Sequence, residues 1–304
     1  MDAQGRTALK GALAALVVVV IWATWLISTR YAGKGHLNPV DLSLLRYGVA
    51  AVALSPYLLR TGLWPRSVNK PALVIMIVGA GFPFFQIAAF GMRGTPASAA
   101  GTLMPGIMPL ATALIGMAVF HERPDLMRKL GMVGIALGGL LLLLAGGATG
   151  TTWRSYLVLP FGATLWACYT HAFRRSGLGA FEAGALISFW STVLALLCLP
   201  FTGTQFLTAP LSEIALQMVP QGILSGVLAM IFYGTAIRLL GATQAAAYTA
   251  LTPIVAVFGG AALLGEGLHP VTILAALVTG LGVLLSTGLI GTATLTRLRR
   301  ALLR

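Results

Sequence analysis

The sequence predicts an all-α, polytopic membrane protein of ten transmembrane helices, arranged as two inverted five-helix repeats. Three observations carry this expectation. Of 304 residues, 58% are apolar and only 9% are charged, against about 25% charged in a soluble domain. Apolar stretches recur along the whole chain, each of about 20 residues, the length that crosses a hydrocarbon core. A shift of 144 residues superimposes parts of the two halves. A mean hydropathy of +0.90 excludes a soluble enzyme, a disordered chain and a fibrous protein. The dyad alternation of a transmembrane β-barrel is not visible.

The first span, 8–29, follows Arg6 and Lys10. Its apolar core runs past Val20 to Ile27 without a small-residue cleavage site behind it, so it reads as an uncleaved helix rather than a signal peptide. Span 2, 39–60, holds Arg46, the only basic residue well inside a span. Spans 3 (71–93) and 4 (96–120) carry Pro83, then Pro105 and Pro109. Span 5 (126–146) has Gly134 and Gly138 in a GxxxG spacing that permits close helix contact. Span 6 (154–174) carries Pro160 and His171, and span 7 (181–201) follows. Span 8 (216–239) contains Pro220 and a second GxxxG, Gly222 and Gly226; spans 9 (242–264) and 10 (269–290) complete the set, with Pro253 in span 9. Cys168 and Cys198 lie in apolar runs and read as small hydrophobes, not as a disulfide or a metal site. No metal and no cofactor is expected.

The net charge is +13. A basic balance suggests nucleic acid on a soluble chain, but here basic residues flank membrane spans and orient them. No basic cluster is interleaved with aromatics on a polar domain, so no nucleic-acid partner is expected. The loops on the side of the N-terminus hold 15 Lys and Arg: Arg6, Lys10, Arg60, Arg66, Lys70, Arg123, Arg128, Lys129, Arg174, Arg175, Arg238, Arg297, Arg299, Arg300 and Arg304. The opposite loops hold 4, namely Arg30, Lys34, Arg93 and Arg154. This bias predicts that both termini are cytoplasmic.

Under the 144-residue shift Trp22 falls on Trp166, Arg30 on Arg174, Pro109 on Pro253, Gly116 on Gly260 and Glu122 on Glu266. The halves divide at 1–150 and 151–304. Five spans per half is an odd number, so the second half enters the membrane in the opposite sense. The run YGTAIRLLGATQAAAYTALTPIVAVFGGAALLGEGLHPVTILAALVTGLGVLL, from Tyr233 to Leu285, resembles the end of an EamA domain. MPLATALIGMAVFHERP repeats the pattern in the first half, and VIWATWLISTR and LRYGVAAVALSP are similar to the family's opening helices. The whole chain resembles two tandem EamA domains of the drug/metabolite transporter superfamily. That resemblance implies a ten-helix carrier in a bacterial inner membrane, with a central cavity lined by the first, third and fourth helices of each half. It also implies that each half's fifth helix serves packing or dimer contacts, which leaves monomer or homodimer open.

The seven acids, Asp2, Asp41, Glu122, Asp125, Glu182, Glu213 and Glu266, all lie in loops or at span ends. A proton-coupled cation exporter needs a carboxylate at mid-membrane; the superfamily's small multidrug members have one in their first helix, and span 1 here has none. Trp22 and Trp166 lie too deep for an interfacial belt, and Trp25 and Tyr169 are related by the same shift. These aromatics could form opposing walls for an apolar or zwitterionic substrate. Tyr233 and Gln86 join the expected substrate-binding set, as do Gln244 and Tyr248, which are four apart and share a helix face. Pro105, Pro109 and Pro253 mark the expected gating breaks, because each proline frees a backbone carbonyl. Arg46 is expected to snorkel and cap carbonyls rather than bind substrate, and His171 to make a structural hydrogen bond.

The function expected is secondary transport of small organic metabolites, export of amino acids or related compounds by facilitated diffusion or exchange through alternating access. Its partners are a small-molecule substrate and the lipid bilayer. A multidrug effluxer is the alternative, with a lipid scramblase or a membrane enzyme behind it. Four scattered histidines and no mid-membrane acid do not supply an enzyme's convergent cluster.

Overall fold

The computed structural model describes residues 3–144, 151–240, 245 and 248–287. The described elements are helical throughout, with no strand among them. In chain order they are α1 (Ala3–Ala32), α2 (Pro39–Ser43), a π-helical turn (Leu44–Gly48), α3 (Val49–Ala53), α4 (Ser55–Thr61), α5 (Lys70–Ala80) and α6 (Phe82–Met92). Next come α7 (Ala97–Leu103), α8 (Met108–Phe120), α9 (Leu126–Leu144), α10 (Ser155–Ser176) and α11 (Ala180–Thr202). The last are α12 (Leu211–Gln217), a π-helical stretch (Met218–Leu228), α13 (Ala229–Leu240), a 3₁₀ turn (Thr249–Leu251), α14 (Thr252–Leu264) and α15 (Pro270–Ser286).

Six described stretches are long and apolar enough to cross a membrane, and the bent pair Pro39–Ala53 and Ser55–Thr61 makes a seventh. Thr249–Leu264 and Pro270–Ser286 are shorter apolar helices. The helix over Ser155–Ser176 is long but carries Thr164, Tyr169, Thr170 and His171. The protein is a multi-pass, all-helical membrane protein.

The two repeats interlock. α1 packs against α13 and α14 of the second half, while α10, its counterpart, packs against α5, α6, α7 and α8 of the first. Each half therefore wraps its third and fourth spans around the first span of the other. The last helices, α9 and α15, pair along their length. Gly131, Gly134 and Gly138 of α9 face Ser286, Gly282 and Thr279 of α15, so the GxxxG of span 5 is used within the chain.

The breaks in the spans have identifiable causes. Span 4 is interrupted between α7 and α8, where Pro105 sits in the turn and Pro109 opens α8. Span 9 breaks at the corresponding place, with a 3₁₀ turn ahead of Pro253. Span 3 breaks at Gly81, ahead of Pro83. There the Phe82 N–H donates to Ser191 Oγ at 2.9 Å and the Tyr47 hydroxyl donates to Ala80 O at 3.0 Å. Neighbouring helices thus satisfy the groups that a broken helix exposes, as hydrocarbon demands. Span 2 bends by 67° at Leu54, ahead of Pro56, whose missing N–H ends the preceding helix. Pro83 is among the prolines that mark possible breaks in the sequence, whereas the bend ahead of Pro56 in span 2 is not among the expected ones.

The repeat extends to the backbone. α8 and α14 both end in a left-handed residue, His121 at φ 54° and Gly265 at φ 66°, positions related by the 144-residue shift. The carboxylates that follow fold back over small residues. A Cβ on Gly116 would lie 2.7 Å from Glu122 Oε2, and one on Gly260 would lie 2.6 Å from Glu266 Oε2. Glu266 also accepts from Ala97 N, capping α7, and lies 3.5 Å from Arg30. Only glycine adopts the left-handed region without Cβ strain. His121→Gly is therefore expected to stabilise the protein by about 1 kcal/mol, seen as a raised Tm in detergent. A lowered Tm would show that the His121 side chain holds a contact worth more than the strain.

Candidate functional site

The middle of the bundle is aromatic, and both halves supply the rings. α1 brings Trp22 and Trp25, α10 brings Trp166 and Tyr169, α13 brings Tyr233 and α6 brings Phe84 and Phe85. The repeat mates Trp22 and Trp166 meet edge to face, centroids 6.3 Å apart. Trp22 also lies 5.7 Å from Tyr233. Trp166 lies 5.4 Å from Phe84 and 5.0 Å from Tyr169. Trp25 stacks on Phe84 at 6.3 Å and closes the chain of rings. Trp22, Trp166, Tyr169 and Tyr233 are half-buried, whereas Trp25, Phe84 and Phe85 are buried. Five of the residues predicted from sequence thus come together across the repeat interface. Phe84 and Phe85 were not predicted, although their place beside Pro83 in a broken span was a usable signal.

Other predicted residues fall elsewhere. Gln86 points from α6 to α2, where its Nε2 donates to Pro39 O at 3.0 Å and to Ser43 Oγ at 2.8 Å. Tyr248 is half-buried in a cluster with Tyr233, Phe232, Ala236 and Ala245. Gln244 lies outside the described residues. His171 is buried, with Nε2 2.9 Å from Thr112 O and Nδ1 3.4 Å from Arg175 Nη1, so it ties α10 to α8 as expected. Cys168 and Cys198 are free. Among the described residues, no group of three or more His, Cys, Asp or Glu could hold a metal ion.

Arg46 departs from the expectation. It sits in the π-helical turn Leu44–Gly48, whose widened geometry recurs at functional sites. Gly222 and Gly226 of the second π-helical stretch let that backbone approach closely: Cβ atoms there would lie 2.8 Å from Leu45 O and 2.7 Å from Arg46 O. The guanidinium does not snorkel. Its carbon lies 5.0 Å from the Trp25 ring centroid, 5.7 Å from Tyr47 and 5.9 Å from Phe85. Arg46 Nη1 and Trp25 Nε1 are both buried without a hydrogen-bond partner, as are Gln221 Oε1, Ser225 Oγ and Thr252 Oγ1.

The end of the bundle away from the N-terminus is stitched across the repeats. Ser28 Oγ donates to Gln217 Oε1 at 2.6 Å, and Gln221 Nε2 donates to Thr29 Oγ1 at 3.0 Å. Glu213 accepts from the backbone of His36 and Leu37, and its other oxygen lies 2.8 Å from His36 Nδ1. Asp41 accepts from Thr204 Oγ1 at 2.7 Å and Gln205 N at 3.1 Å. Two clefts open at this end. One, of about 370 Å³, lies between Tyr31, Lys34 and His36 on one side and Pro210, Ser212 and Glu213 on the other. The second, of about 340 Å³, is lined by Thr29, Asn38, Ala89 and Arg93 among others.

The sequence model of the EamA-like transporter family matches twice, over residues 9–144 and 153–288. The chain belongs to the EamA-like transporter family. Among its relatives, a probable terminal-alkyne amino-acid exporter of Streptantibioticus cattleyicolor is 29% identical over 287 residues, covering 91% of this chain and 93% of the relative. The uncharacterized transporter YyaM of Bacillus subtilis is 23% identical over 273 residues, covering 84% and 87%. A crystal structure of a protein 20% identical in sequence superimposes with a TM-score of 0.60 over 93% of this chain and 98% of its own. At that identity the likeness concerns the fold alone.

Proposed function

We propose that this EamA-type transporter is a secondary carrier of small organic metabolites that exports amino acids or related compounds by facilitated diffusion or exchange. The observation that carries this reading is the aromatic box of Trp22, Trp166, Tyr169 and Tyr233 where the inverted repeats meet. Half-buried rings at the centre of a membrane bundle offer apolar walls that hold a small organic solute without binding it too tightly to leave. The relative named as an amino-acid exporter supports the same class. The repeats, 1–150 and 151–304, rock about the box. The breaks at Pro105, Pro109 and Pro253 let α8 and α14 swing as gates. The hydrogen bonds from Ser28, Thr29, Asp41 and Glu213 hold one mouth shut. The 15-to-4 charge bias supports a bacterial inner-membrane carrier with both termini in the cytoplasm, and in that orientation the stitched mouth faces outward.

The test is the purified protein in liposomes, assayed for flux of labelled amino acids with and without a pH gradient. Flux down the substrate gradient is expected. With no substrate gradient, an imposed pH difference is expected to drive no accumulation, because no described acid lies deep in a span. Uphill accumulation abolished by Glu122→Gln or Glu266→Gln would overturn the facilitator reading. Selective movement of cationic dyes would favour the multidrug effluxer. A reporter fused to the C-terminus reads the orientation, and a periplasmic signal would overturn it.

A further inference from the structure

From the geometry around Arg46 we infer that the transported solute carries a carboxylate, held by the Arg46 guanidinium and the Trp25 indole N–H while its apolar part occupies the aromatic box. This rests on the carrier reading and goes beyond it by naming the group that is recognised and the residues that recognise it.

Among the described residues Arg46 has no opposite charge beside it. Arg46 lies seven residues beyond Pro39, about 10 Å into the membrane at 1.5 Å per residue. An arginine stays protonated there, and a cation held inside a bundle is kept only where something compensates it. No carboxylate among the described residues does so. The described ion pairs join Arg30 to Glu266, His36 to Glu213 and Arg128 to Glu122. Asp41, on the same span, has its oxygens committed to Asn38 N, Thr204 Oγ1 and Gln205 N at the far end. What surrounds the guanidinium is three rings, Trp25, Tyr47 and Phe85, and the Tyr47 hydroxyl, a neutral hydrogen-bond partner that offsets no charge. Rings attract a cation but accept no strong hydrogen bond from it.

Two donors are left without acceptors at this place, Arg46 Nη1 and Trp25 Nε1, and they belong to groups in contact. Trp25 is 5% exposed, so bulk water does not reach its N–H. Buried donors with no acceptor between them call for a ligand that brings lone pairs and negative charge, and a carboxylate brings both. The rest of the ligand has its place already. The rings run without interruption from Trp25 through Phe84 and Trp166 to Trp22 and Tyr233. An α-amino group, if the solute has one, meets ring faces rather than an acid. The guanidinium is therefore the group that discriminates, and an amine without a carboxylate is refused by its charge.

The experiment uses two series on one carbon skeleton each: phenylalanine, 3-phenylpropionate and phenethylamine; norleucine, hexanoate and pentylamine. Ligand-induced thermal shift of the full-length protein in detergent reads binding, and proteoliposome flux reads transport. Wild type is expected to respond to the amino acid and the acid of at least one series, and not to the amines. Arg46→Met is expected to weaken the acid roughly 10- to 100-fold, the scale of a lost charge-assisted pair. It is also expected to raise the Tm of the empty protein, since a desolvated cation is gone. Trp25→Phe keeps the ring and removes the N–H, so a loss of about fivefold is expected. An amine that binds as well as its acid, or an Arg46→Met protein that keeps wild-type affinity for the acid, would overturn the carboxylate site and leave the carrier standing. If no member of either series binds or moves, the carrier reading of this site falls and the inference falls with it.

Discussion

Trp166→Ala is expected to lower solute flux at least about tenfold while leaving the protein folded, a loss equivalent to about 1.4 kcal/mol of recognition. Trp166 touches Trp22, Phe84 and Tyr169, and is half-buried, so part of the ring faces open space rather than packed protein. Truncation removes the largest ring on the second half's side of the box and the pair made with its repeat mate. Such aromatic pairs are worth about 0.5–1.5 kcal/mol beyond their buried area. Trp166→Phe keeps a ring and is expected to keep most of the flux. Trp22→Ala is expected to behave like Trp166→Ala, because the two rings meet at the axis that relates the repeats. Flux in liposomes and the Tm in detergent separate the effects. Full flux with a lowered Tm would make the box a packing core and nothing more.

Gly282→Val is expected to cost about 3 kcal/mol and to deplete folded protein, because the clash is with backbone. A Cβ on Gly282 would lie 2.6 Å from Ile135 N and 2.8 Å from Gly131 O. Neither atom moves without parting α9 from α15, the pair whose contact depends on close backbone approach. Gly139→Ala, on the partner helix α9, is the control. Its Cβ meets only Ile107 Cδ1 at 3.8 Å, so it is expected to be neutral or to gain the roughly 1 kcal/mol by which alanine exceeds glycine in a helix. Monodispersity on size exclusion and the Tm report both. A Gly282→Val protein of wild-type stability would mean that the two helices separate at no cost.

Much of the architecture was legible because the bilayer imposes a one-dimensional rule. A span needs a long apolar stretch, and each loop's basic residues mark its side. That rule needs no partner helix, so a single sequence displays it. The repeat was legible for a related reason. Trp22 and Trp166, Pro109 and Pro253, and Glu122 and Glu266 serve the same local need twice, and a shift of the sequence against itself finds them. Their being repeat mates also placed them near the axis, where Trp22 and Trp166 do meet.

The sequence by itself therefore determined that the chain is a helical membrane protein built from two similar halves, and which rings are repeat mates. Only the tertiary structure decided what surrounds each polar group. Gln86 looked like a cavity residue because an amide at membrane depth needs a partner, but whether that partner is a solute or Ser43 depends on how α6 crosses α2. Arg46 looked like a snorkelling side chain because arginine stems reach the interface from such a depth. It stays inside because Trp25, Tyr47 and Phe85 offer it ring faces, and these come from α1, its own helical turn and α6. Periodicity and charge record what each helix owes to the bilayer. They do not record helix crossings between residues far apart in sequence, and there packing alone determines whether a buried donor is satisfied or left open.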